Sequence, residues 1–476
     1  MRRLTALLAG ALLACLSSPA HADEPDEDAM FGGEEEPVPV TAPPAADDEG
    51  KNLEDENTGQ RLFERLQETD DPLEIGGLLY LRPQMTFSES DDLEDHPFSM
   101  PNLLDLYLDA RPSDRLRAYI RGRLTYDPTV DEAASTPVAG FGAASEEVSV
   151  ALDQLWLNFD IARRVFVTMG KQPVKWGATR VWNPVDVLNP TRRNALDVFD
   201  ARSGVGLLKL HIPVESLTAD GSTPANFYVL GLLDDVTSLE RAGVAVRAEF
   251  AFWQAELGFS AAYRHHEDGA DDFDGDGDAD LDLKTGFDFS MAVWELDLSG
   301  EVGVTVKDDG DDPLVLASLG LQYGVKYNDE DTLYLGLEGL WNQAGTDDIE
   351  PALAAAAGLG DTGVDPYAPN SFLYIGEWYG AFFALLQGPG SWDDTNFTLT
   401  TLANFSDLSV AVRLDVSVRV LTYLSVQAFF QLATGEEGEL HLGPDALPTL
   451  APLAEAAGTP INTMVGTAGL WLRLDL

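Results

Sequence analysis

Six histidines are the first place to look for chemistry in this chain, and they offer little. "HHED" at 265–268 lacks the i, i+4 spacing with which two imidazoles hold a metal on one helix face. No GxSxG turn presents a serine nucleophile. The GxGxxG match at Gly358–Gly363 follows "PALAAAA" inside a long loop, not a strand that leads into a helix. A hydrolase would need a Ser or Asp nucleophile beside His96 or His211, and the sequence pairs neither with one. No enzyme is expected. The acidic run "DFDGDGDAD" sets Asp272, Asp274, Asp276, Asp278 and Asp280 at alternate positions, with Gly277 where a calcium loop turns. Leu283 stands where such a loop places its bidentate Glu. The run reads as a weak Ca²⁺ site or a plain solvated acidic loop, and no cofactor is required.

Basic residues are scarcer and more pointed. The chain holds 81 acidic and 29 basic residues, a net charge of −52, which excludes nucleic-acid partners. Yet residues 161–210 reverse the ratio, with nine basic residues, among them Lys171, Lys175, Arg180, Arg192 and Arg193, against three acidic ones. Arg115, Arg117, Arg121 and Arg123 stand at alternate or near-alternate positions of "RLRAYIRGR". Four like charges on one face need water or facing carboxylates, and Asp105 and Asp109 are candidates. Such a set is either an ion-paired wall or a basic constriction that selects polar or anionic solutes.

The elements that carry these residues are strands. "LSVAVRLDVSVRV", 408–420, alternates Leu408, Val410, Val412, Leu414, Val416, Val418 and Val420 with Arg413, Asp415 and Arg419, so one face is aliphatic and the other charged. The same period of two recurs from Leu73 onward in about 18 segments, most of them about 10 to 14 residues long. "VSVALDQLWLNF" changes phase near Asp153, which predicts a bulge. Connections alternate in length. Tight turns such as "RPSD", "IARR", "WQAE" and "YNDED" follow even-numbered strands, and loops of about 10 to 30 residues follow most odd-numbered ones. Sorting of loops by parity is the mark of a barrel that crosses an outer membrane with both ends in the periplasm.

Flanking segments agree. "MRRLTALLAGALLACLSSPAHA" reads as a secretory signal over 1–22 and contains the only cysteine, Cys15, in a loose imitation of a lipidation box. Residues 23–57 are acidic and Pro-rich and read as a disordered leader, 58–72 as a short amphipathic segment, and 73–476 as the barrel. The terminal "GLWLRLDL" alternates like a final strand that barrel assembly machinery recognises.

Between the fifth and sixth strands lies "GKQPVKWGATRVWNPVDVLNPTRRNALD". Its Gly170, Lys171 and Gln172, then Trp176 and Gly177, then Asn183, Pro184 and Asp186 resemble the G-(K/R)-Q, W-G and N-P-x-D segment of a family of porin-type outer-membrane proteins. The resemblance covers about 30 residues and implies an outer-membrane channel without naming a substrate. Asn-Pro pairs and Gly make compact loops. Trp176 and Trp182 could anchor this loop, or Trp176 could belong to an interfacial girdle. The loop is expected to fold inward and narrow the pore.

The reading is an all-β transmembrane antiparallel barrel of about 16 to 18 strands, 18 favoured, in the outer membrane of a Gram-negative bacterium. It would act as a porin-like channel for passive passage of small polar or anionic solutes. The alternatives are a surface structural or adhesion barrel with a filled lumen and cation-binding acidic loops, and, further off, a hydrolase. Lipid, lipopolysaccharide and the assembly machinery are the expected partners, and an oligomer stays open.

Overall fold

The computed structural model describes residues 73–90, 92, 96–130, 147–189, 196, 202–218, 223–233, 242–265, 281–306, 313–327, 331–348, 374–449, 451–452 and 461–476. The segments before Leu73, the acidic run 272–280, and Arg192 and Arg193 lie outside them.

Twenty extended segments form eighteen staves. β1 (Leu73–Leu81) continues past Arg82-Pro83 into β2 (Gln84–Ser88), and β3 (Phe98–Ser99) continues past Met100-Pro101 into β4 (Asn102–Ser113). Proline has no N–H to give the ladder, so each stave breaks there. β5 (Leu116–Tyr126), β6 (Val148–Ile161), β7 (Val165–Gln172), β8 (Val205–Val214) and β9 (Ala225–Leu232) follow. Next come β10 (Gly243–Phe252), β11 (Ala255–His265), β12 (Leu281–Val293), β13 (Leu296–Val306), β14 (Leu314–Lys326) and β15 (Thr332–Asn342). β16 (Trp378–Gln387), β17 (Thr395–Asn404), β18 (Ser409–Leu421), β19 (Leu424–Gly435) and β20 (Met464–Asp475) complete the wall.

Every stave pairs antiparallel with its neighbours in sequence, and β20 closes the ring on β1 and β2, with Leu81 opposite Leu472 and Gln84 opposite Gly469. Closure leaves no edge, which a hydrocarbon surround demands. No helix among the described residues is long and apolar enough to cross a membrane; the strands do so.

Alternation sorts the faces. On β18, Leu414 and Val420 are exposed on the outside, while Ala411, Arg413 and Asp415 are buried inside. Leu106, Leu319 and Leu337 continue the outward apolar belt on other strands. Trp253 and Trp294, almost fully exposed, open tight turns at φ of 58° each, where a ring at the membrane interface offsets the cost of a left-handed backbone. The expected bulge is present: Arg121 pairs with Gln154 and Gly122 with Leu152, so Asp153 is the extra residue on β6. A closed barrel with an apolar exterior, a charged interior and loops sorted by parity is an outer-membrane barrel of a Gram-negative bacterium.

Candidate functional site

The lumen is furnished by the chain between β7 and β8. Near the end of β7, Gly170 stands at φ +120°, where a Cβ would strike the Leu155 carbonyl, and the chain leaves the strand after Gln172. Gly177, at φ +107°, turns it again beside the Glu301 carboxylate, where a Cβ has no room. From there the segment runs along the inner wall, and two carboxylates receive its backbone. Glu301 of β13 accepts the N–H groups of Thr179 at 2.6 Å and Val185 at 3.1 Å, together with the Thr179 hydroxyl at 2.7 Å. Glu338 of β15 accepts the N–H groups of Arg180 at 3.0 Å, Val181 at 3.1 Å and Trp182 at 2.8 Å. Both Glu side chains belong to residues at most 5% exposed, so several donors converge on each in place of water.

Apolar packing holds the same segment. Val174, Trp176, Val185 and Leu188 cluster with Val205, Leu207, Leu230 and Leu232 of β8 and β9. Val181, Trp182 and Leu196 cluster with Leu340, Tyr379, Phe383 and Leu402 of β15 to β17. Trp176 is therefore an internal anchor and not part of the outer girdle. Its ring lies 5.6 Å from the Arg247 guanidinium, and the Arg180 guanidinium lies 4.1 Å over Phe383.

Residues that carry the family resemblance build this segment. The Gln172 amide donates to the Leu207 carbonyl at 3.4 Å, and Asn183 donates to the Thr179 carbonyl at 2.6 Å. Asp186 accepts from the Asn189 amide at 2.8 Å and pairs with Arg202 at 3.2 Å. Burial pushes the Asp186 carboxyl up, against the pull of Arg202. Pro184 lies between Asn183 and Val185, both tied to Glu301. These side chains shape the segment; none is aimed at a reacting group.

On β5 the arginines are partnered. Arg123 pairs with Asp105 at 2.8 Å, Arg117 with Asp109 at 2.9 Å, and Arg121 with Asp153 in a close contact. Arg111 shares Asp109 at 2.7 Å, and Arg115 pairs with Asp160 at 2.8 Å near the tight-turn end. The ladder is an alternation of charges and not a column of positive ones. Asp105 and Asp109 were legible as partners. Asp153 and Asp160 were not, because the bulge shifts the parity on which their facing depends.

Lys171 does not join the ladder. It pairs with Leu155 and Gly206 on the face that carries exposed Met169, so it sits at an outward register position near the end of β7. Lys175 and Arg180 lie on the inward segment, Arg180 over Phe383 of β16 and not among the β5 pairs. His96 Nδ1 lies 3.3 Å from the Ser88 N–H and hydroxyl, which makes it a cap for that backbone. His211 stacks on Tyr228 at 4.6 Å and contacts Asn226 at 2.9 Å. Among the described residues no group of three metal-ligating side chains converges.

No protein-family model matches the chain, and no curated protein sequence matches it. Solved structures do resemble it in fold. Wzi of Escherichia coli, an outer-membrane, carbohydrate-binding β-barrel involved in group 1 capsule assembly, is 11% identical over 87% of each chain, with a TM-score of 0.48. OccAB4 of Acinetobacter baumannii is 11% identical over 86% of this chain and 99% of its own, with a TM-score of 0.46. OmpF of Salmonella typhi, solved with daunomycin, is 10% identical over 85% and 97%, with a TM-score of 0.38.

Proposed function

We propose that this barrel is a passive channel for small polar solutes, with the passage between the inward segment and the wall formed by β4 to β6. The observation that carries the reading is the asymmetry of the lumen. The segment is fastened along β8 to β17, whereas on β4 and β5 the side chains of Arg111, Arg117 and Arg121 keep 55%, 29% and 27% of their surface open to water. A ring of eighteen strands encloses more cross-section than one loop fills. Because the guanidinium groups are matched by Asp109, Asp153 and Asp105, charge selectivity is expected to be modest and polar solutes to pass more readily than a basic constriction would imply.

A second reading has its own support. The chain after β19 folds back over the barrel mouth, with Glu439 buried against Tyr379 and Leu447 against Ile375, as a structural barrel with a filled lumen would require. Planar-bilayer recording separates the two. Discrete current steps on insertion support the channel; an inserted, folded and silent barrel sinks it.

A further inference from the structure

The lumenal face of a channel is ordinarily polar, and apolar rings belong on the lipid side. Six neighbouring strands depart from that pattern. Tyr107 on β4, Tyr119 on β5, Trp156 on β6, Phe166 on β7, His211 on β8 and Tyr228 on β9 all take the inward parity, and each stands within six residues of the tight-turn end of its strand. They form an arc over a third of the wall at one height, on the periplasmic side of the lumen. Tyr107 to Tyr119 is 5.7 Å between centroids, and Tyr119 to Trp156 is 5.3 Å, with planes within 20° of parallel. Those separations exceed the contact distance of overlaid rings, so the rings are staggered and part of each face stays uncovered. On the next three strands Phe166, His211 and Tyr228 form a second set, at 5.8 and 4.6 Å, with Phe166 four residues along β7 from Gly170, the partner of Trp156. All six are half-buried, and Tyr228 also packs against the Val174 and Trp176 cluster of the inward segment.

Hydrogen-bonding groups run beside the rings. Arg117 lies 5.3 Å over Trp156 while paired with Asp109, Asn158 bonds Thr168 at 2.8 Å, and Glu249 accepts from the Tyr228 hydroxyl at 3.1 Å. Rings beside charge-balanced donors and acceptors match a ligand with apolar C–H faces and a rim of hydroxyl groups. A free anion would gain little, since the guanidinium groups here already face carboxylates, and a cation would meet the arginines.

We infer that this aromatic arc is a binding track for neutral oligosaccharides. The inference names the solute class of the proposed channel and so rests on that reading. Two measurements keep the readings apart. Equilibrium binding of maltohexaose to the full barrel in detergent needs no conduction; block of single-channel current by the same sugar does. Saturable binding is expected, about tenfold weaker in Trp156→Leu and in Tyr119→Leu and retained in Trp156→Phe. A uronic-acid oligosaccharide of the same length should bind less well. Absence of saturable binding, binding unmoved by either Leu variant in a folded barrel, or tighter binding of the acidic sugar overturns the track. Conduction without sugar binding overturns the track and leaves the channel. Ring-dependent binding without conduction supports the track and overturns the channel.

Discussion

Glu338 on β15 accepts the backbone N–H of Trp182 at 2.8 Å, joining positions 156 residues apart and fixing to the wall a segment rooted on β7. A carboxylate is an acceptor on both oxygens, whereas an amide turns one of them into a donor. Glu338→Gln would set that donor against backbone N–H groups and cost about 1 to 3 kcal/mol of docking free energy. Tryptic cleavage after Arg180 should then rise in the folded barrel, and an unchanged cleavage rate would show that apolar packing alone holds the segment.

Facing can be tested on β18. Val416→Arg directs a charge to lipid and should cost about 2 to 4 kcal/mol near the midplane. Ser417, paired with Gln427 on the inward face, should accept Arg at little cost. Heat-modifiable migration and urea unfolding in lipid vesicles measure both, and equal loss in the two variants would contradict the register.

Charge balance on β5 makes a prediction of its own. Asp109 is shared by Arg111 and Arg117, so Asp109→Asn leaves two guanidinium groups without their carboxylate. Reversal potentials across a salt gradient should shift toward anions, more at low ionic strength than at high, because screening shortens with salt. A shift toward cations, or none, would show that these groups do not line the conducting path.

Glu439 supplies a pH dependence. Burial pushes its carboxyl from an ordinary 4.5 up to about 8, with the Tyr379 hydroxyl as its donor. Because the folded value is raised, the packed 436–449 segment binds the proton more tightly than the unfolded chain does. Its stability is fully present below 4.5, declines as pH rises toward about 8, and is flat above that. Hydrogen exchange over 436–449, corrected for intrinsic rates, should speed up between pH 5 and pH 9 in the wild type. Glu439→Gln should flatten the profile.

Much of the fold was legible because the alternation that puts Val416 in lipid and Arg413 in the lumen is written in local residue types. The phase change at Asp153 announced its bulge for the same reason. The two Asn-Pro pairs announced a compact segment. Its anchors did not announce themselves: Glu301 and Glu338 look like any lumenal acid on an alternating strand, and only the segment's path across the barrel gives them their donors. Lys171 misled because it follows Gly170, and whether a residue at a strand end faces in or out depends on pairing with Leu155, which sequence alone does not supply. The aromatic arc was hidden likewise, since its six rings come from six strands and share a height only once tilt and register are fixed.

Single-channel conductance of a barrel lacking residues 178–188, compared with the wild type, tests the central claim most directly. A water-filled passage beside a docked segment predicts that the wild type conducts and that the assembled deletion variant conducts more, because the lumen widens where Thr179 to Leu188 lay. Equal conductance in the two, or silence in both with the barrel inserted, would contradict the account.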